Sequence, residues 1–130
     1  MPHPFAELIA LSVDEQRAGF SRLSLVVAPD HLNPHGVVHG AVVYALADTG
    51  MGAALYPTLA DGQICATIEI KINYFKPIVA GRLVCVTELV NRGKTVANLE
   101  SKVLLEDRLV ATANGHYAIF TPRPAAGGAA

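Results

Sequence analysis

The sequence predicts an α+β fold, an antiparallel sheet of about five to six strands wrapped around one long central helix. Three observations predict it. A single apolar stretch of helical character, Gly40 to Leu55, lies between a turn-rich loop and Pro57. Four extended segments follow it, of which Thr67–Phe75 alternates most strictly. Short connections join those segments, which implies antiparallel neighbours.

The elements follow in order. Phe5 to Ala10 suits a short helix, and Ser12-Val13-Asp14-Glu15 reads as a cap followed by an acidic first turn. From Gly19 the period changes to two: Leu23, Leu25 and Val27 alternate with Arg22, Ser24 and Val26 until Pro29 ends the first strand. Pro34 and Gly36 prevent a helix through the next loop, so the long helix starts near His39 or Gly40. Gly50 and Gly52 each cost such a helix about 1 kcal/mol against Ala, so the space they leave must be needed. Either close packing on the sheet or room for a ligand or second helix accounts for them.

In the next strand Ile68, Ile70, Ile72 and Tyr74 form one face, and Thr67, Glu69, Lys71 and Asn73 the other. Leu83 to Val90 is nearly all apolar, which implies burial on both faces or at an interface. Asn91-Arg92-Gly93-Lys94 reads as a hairpin turn, with Gly93 supplying positive φ. Thr95 to Leu105 returns with Asn98, Glu100 and Lys102 on one face. Glu106-Asp107 turns again, and Arg108 to Phe120 is the last strand, with Gly115 as a bulge. Residues 1–120 are expected to form one domain and 121–130 a disordered tail.

Composition narrows the function. Hydrophobic residues make up 52% of the 130 residues and charged ones 16%, a surplus of apolar surface that points to burial against a second copy. A net charge of -1 gives no basic field for nucleic acid. Cys65 and Cys85 lie in apolar runs without CxxC spacing, as reduced thiols of a cytoplasmic protein do. The apolar run Ala41–Ala47 is well short of the ~20 residues that span a bilayer, so no membrane association is expected. His31, His35 and His39 recur every four residues, but Pro34 and Gly36 break the helix that would align them. No metal is expected there.

Asp48 carries the chemical interest. Leu46, Ala47 and Met51 surround it with apolar side chains, and a carboxylate so placed is either paired or shifted toward its neutral form. Gly40 opens the helix, where the first N–H groups lack intrahelical partners and sit at the positive end of the dipole. It serves either as a donor to developing negative charge or as a plain helix start. Eight residues separate Gly40 from Asp48, about 12 Å along a helix. A donor and a base acting on one carbonyl must each lie about 3 Å from their atoms, so one helix serves a single carbonyl poorly. Two helices packed antiparallel across a two-fold axis would unite Gly40 of one chain with Asp48 of the other.

Asn33-x-x-Gly36-x-x-His39-Gly40, followed by Ala47-Asp48, resembles the hotdog-fold acyl-CoA thioesterases, closest to the phenylacetate-degradation (PaaI-like) type. Asn73-Tyr74-Phe75-Lys76-Pro77, Gly81 and Arg92-Gly93-Lys94 extend the similarity from about Leu23 to Phe120. The resemblance implies thioester hydrolysis without a cofactor, in a dimer with a continuous sheet and shared active sites, and a homotetramer of two such dimers. It also implies roles. Gly40 N–H would polarise the thioester carbonyl, and Asp48 of the facing subunit would activate water or attack directly. Asn33 would place the carbonyl or the water, His39 would brace the loop, and Thr67 would assist the water. Gly36 belongs to the same substrate-binding loop, and Arg92 and Lys94 meet the CoA phosphates or remain a solvated hairpin. One residue departs from the family pattern: Ala41 stands where a second glycine is usual, which narrows the acyl pocket. Two other readings of the same pattern are a non-catalytic acyl-CoA-binding or regulatory domain and a hydratase or dehydratase.

Overall fold

The computed structural model describes residues 2–123, so most of the expected tail lies outside the described residues. In chain order the elements are α1 (Pro4–Leu8), β1 (Ser12–Arg17), β2 (Phe20–Val26), α2 (Gly40–Leu55), β3 (Ile64–Tyr74), β4 (Arg82–Arg92), β5 (Val96–Leu105) and β6 (Arg108–Phe120). The six strands form one sheet in the order β1-β2-β4-β5-β6-β3, and every neighbouring pair is antiparallel. The predicted α+β architecture is therefore the observed one. No helix of the described residues is long and apolar enough to cross a membrane.

The sheet curls around α2 and buries it against alternate residues of each strand. Val42, Val43 and Leu46 of the first half of α2 pack with Leu23, Leu25, Leu83, Cys85 and Val103. Ala47, Met51, Ala54 and Leu55 of the second half pack with Ala97, Leu99, Ala113, Tyr117 and Ile119. Gly50 marks the closest approach. A Cβ there would stand 2.7 Å from Thr87 Oγ1 and 3.4 Å from Ser21 Oγ, and Ser21 donates to the Gly50 carbonyl at 2.6 Å. A Cβ at Gly52 would meet nothing within 4 Å. Of the two glycines, the first thus serves helix-on-sheet packing and the second leaves open space.

Five local expectations change. Ser12–Glu15 does not start a helix; it lies in β1, because Ala18 and Gly19 (φ +80) make a two-residue turn that folds it back on β2. Gly93 is not among the positive-φ glycines. It is required instead by close approach, since a Cβ there would lie 2.4 Å from the Val96 carbonyl oxygen. Gly115 pairs in regular register with Ile70 and Leu99 and makes no bulge. Its missing side chain admits Met51, whose sulfur would lie 2.8 Å from a Cβ. The bulge that matters to the site falls in β3, where the register against β6 shifts between Thr67 and Glu69; further shifts fall at Val13/Glu15, Leu89/Asn91 and Val103/Leu104. Ile68 is the extra residue, so the two faces assigned to β3 exchange at that point. Of the apolar run in β4, only the inner residues Leu83, Cys85 and Thr87 are buried, while Val84 and Val86 are half-buried on the outer face.

Candidate active site

The loop before α2 is built by Asn33. Its carboxamide oxygen accepts from the backbone N–H of His35 at 2.9 Å and of Val37 at 3.4 Å, and its own N–H donates to the Val37 carbonyl. This Asx turn passes through Gly36 at φ +78, a conformation that suits glycine. His31 is buried behind it. One ring nitrogen accepts from Ala28 N–H at 2.9 Å and the other reaches the Ile9 carbonyl at 2.6 Å, so both are occupied. His35 and His39 are exposed, and no group of three potential metal ligands forms among the described residues.

His39 is the N-cap of α2, its Nδ1 accepting from Ala41 N–H at 2.9 Å. That bond uses the Ala41 donor. Gly40 N–H, one residue earlier, has no acceptor among the described residues. Tyr74 fixes the same turn from β3, its hydroxyl donating to the Gly40 carbonyl at 2.8 Å. Burial pushes the Tyr74 phenol above its ordinary range, which keeps that donor protonated.

Asp48 lies two turns further along, half-buried. Thr67 Oγ1 donates to its Oδ1 at 2.7 Å. The Tyr117 hydroxyl approaches the same Oδ1 at 2.5 Å and the Asp48 main-chain carbonyl at 2.9 Å. Two hydroxyls from two strands therefore pair the carboxylate. Thr67 reaches it because the bulge at Ile68 turns Cys65 and Thr67 to the helix side of β3, the side taken beyond the bulge by Ile70 and Ile72. Cys65 feels the same site: burial, and secondly the charge of Asp48, raises its thiol pKa. Tyr117 is pushed up by burial first and by the bond to Asp48 second.

Tyr117 was not among the residues picked out from the sequence. The signal for it was a single polar-tipped aromatic in the inward row Ala111, Ala113, Gly115, Tyr117, Ile119 of β6. The structure brings Asp48 and Thr67 together, and gathers Asn33, Gly36, His39 and Gly40 into one loop and helix start. It leaves Arg92 and Lys94 apart from both groups. Arg92 is bound to Thr58, Gln63 and the Gly93 carbonyl, while Lys94 is exposed on the β4–β5 hairpin.

The outward face of α2 is open and mostly apolar, with Ala41 and Tyr44 exposed and Gly52 half-buried around Asp48. Beside it β3 is an edge strand, paired only with β6 among the described residues. Ile68, Tyr74 and Phe75 are each more than half exposed along or just beyond that edge. A long edge flanked by apolar side chains is a template for strand pairing.

Comparison with known proteins agrees with this architecture. Residues 35–112 match the thioesterase superfamily. A protein from Archaeoglobus fulgidus that carries an esterase name is 32% identical over 111 residues, 84% of this chain and 70% of its own. The structure of a conserved protein from Pseudomonas aeruginosa superposes with a TM-score of 0.87 at 29% identity, covering 92% of this chain and 96% of the other. That of the phenylacetic acid degradation protein PaaI from Thermus thermophilus gives 0.83 at 30% identity, with 89% and 98% covered.

Proposed function

Because the chain belongs to the thioesterase superfamily, we propose that it hydrolyses the thioester of a small aryl- or medium-chain acyl-CoA to the free acid and CoA. The observation that carries this reading is Asp48, a carboxylate held by two hydroxyls on the open face of an otherwise apolar helix, beside the free edge of β3. Two chains pair along β3, and each active site takes Gly40 from one and Asp48 from the other. Two such dimers make the tetramer. In the reaction the thioester carbonyl oxygen accepts the Gly40 N–H, which stabilises negative charge as the carbonyl carbon is attacked. Asp48 takes a proton from the attacking water, or attacks the carbon itself and is released by water. Either way the C–S bond breaks and the sulfur leaves as CoA thiol.

Asn33 and His39 hold the loop and helix start that aim Gly40, and Gly36 lets that loop turn beside the substrate. Lys94, exposed on the β4–β5 hairpin, meets the CoA phosphates, whereas Arg92 braces the hairpin against the segment after α2. Likeness to the Thermus phenylacetic acid degradation protein PaaI supports an aryl acyl group, while Ala41, standing where the family usually has a second glycine, argues against the bulk of an aryl-acetyl one. Free Cys65 and Cys85 fit a reducing cytoplasm. The test is CoA thiol release across a panel of acyl-CoAs. Wild type is expected to release thiol and Asp48→Asn to release none. Binding without release by the wild type would instead identify a binding module, and hydration of an enoyl-CoA a hydratase.

A further inference from the structure

We infer that Tyr117 is a positioning residue for Asp48: with Thr67 it commits Oδ1 to the protein and leaves Oδ2 as the oxygen that reacts. The inference rests on the reading of Asp48 as the reacting carboxylate.

The geometry supports it in three steps. First, Tyr117 is only 3% exposed, in the cluster that contains Met51, Leu99, Ala113 and Ile119, so its ring is locked by packing. Its hydroxyl therefore has a fixed position. Second, that hydroxyl touches both the side chain and the main-chain carbonyl of one residue, at 2.5 and 2.9 Å. It registers α2 against β6 and the carboxylate against α2 at the same point. Third, Thr67 donates to the same Oδ1 from the other side of the β3–β6 pair, in which Thr67 and Tyr117 are directly opposed. A carboxylate oxygen has two lone-pair sites, and two hydroxyls fill them.

Among the described residues Oδ2 receives no donor. The consequence is a carboxylate that cannot rotate its two oxygens through the reacting position, which is what orientation requires of a base or nucleophile. Burial and the bond to Asp48 hold the Tyr117 phenol protonated, so it remains a donor across the working range of pH.

Tyr117→Phe removes the hydroxyl and keeps the ring. Steady-state thiol release is expected to show kcat lowered about tenfold and KM within about twofold. Thr67→Val is expected to lower kcat in the same way with KM kept. Wild-type kcat in Tyr117→Phe overturns the inference, as does a lowered Tm with kcat per folded molecule unchanged. Asp48→Asn, run in parallel, separates the two levels. Turnover in that variant removes the reading of Asp48 and the inference with it, whereas an inactive Asp48→Asn beside a wild-type-like Tyr117→Phe removes the inference alone.

Discussion

Gly50 of α2 lies against Thr87 of β4 with no room for a methyl group between them, a Cβ at Gly50 falling 2.7 Å from Thr87 Oγ1. Thr87 is fully buried and its hydroxyl is 2.7 Å from that of Ser101, so it has nowhere to turn. Ala in place of Gly gains about 1 kcal/mol of helix propensity, but overpacking of this kind costs about 1–3 kcal/mol. Gly50→Ala is therefore expected to lower the midpoint of denaturant unfolding, with the loss relieved by adding Thr87→Ala, which removes the hydroxyl that the new methyl meets. A rise in the midpoint of the single variant would contradict the packing described.

The donor at Gly40 can be tested apart from its shape. Proline is well tolerated at the first position of a helix, and His39 already has the extended backbone (φ -61, ψ 136) that precedes proline comfortably. Gly40→Pro thus removes the N–H while keeping the helix start. Gly40→Ala keeps the N–H and adds a Cβ at 3.1 Å from the Tyr74 hydroxyl. If the N–H stabilises the oxyanion, the proline variant should lose about 10²–10³-fold in kcat, far more than the alanine variant, with circular dichroism unchanged. Equal losses would assign the effect to crowding at Tyr74.

The helix, its bounds and five of the six strands were legible because they depend on local pattern: Pro34, Gly36 and Pro57 bracket α2, and alternation marks β2, β3 and β5. What was not legible depends on partners distant in sequence. β1 is extended only because Gly19 folds it onto β2, which overrides the helix-cap look of Ser12–Glu15. Gly93 and Gly115 carry the same sequence signal as turn and bulge glycines, yet answer to the Val96 carbonyl and to Met51. At the candidate site Asp48 stood out as a lone carboxylate in an apolar run, but its donors did not. Strict alternation places Thr67 on the polar face of β3, and only the bulge at Ile68 turns it to Asp48.

That bulge has a measurable consequence. Thr67→Val keeps the β-branched shape in an edge strand and removes one donor to Asp48, so its effect on folding should be within about 0.5 kcal/mol while kcat falls about tenfold. Thr67→Ser restores the hydroxyl and should recover most of the rate. Wild-type turnover in Thr67→Val would show that the hydroxyl of Thr67 is not used.

The edge of β3 links assembly to activity. Ile68 is 53% exposed there, and an exposed edge is blunted against pairing most simply by lysine. Since β6 already pairs the other side of β3, Ile68→Lys leaves the fold of a single chain without a buried charge. In the proposed dimer the same lysine lies along the β3 seam, where burying it adds a desolvation cost and two copies add like charge. Ile68→Lys is expected to shift sedimentation equilibrium toward monomer. If Gly40 and Asp48 of one site come from different chains, as proposed, specific activity should fall in proportion to the dimer lost and rise again with protein concentration. Raising salt screens the repulsion and should restore part of both. A monomeric variant with full activity would mean that one chain holds a complete site, and the distance of two helical turns between Gly40 and Asp48 would then have to be bridged by the substrate itself.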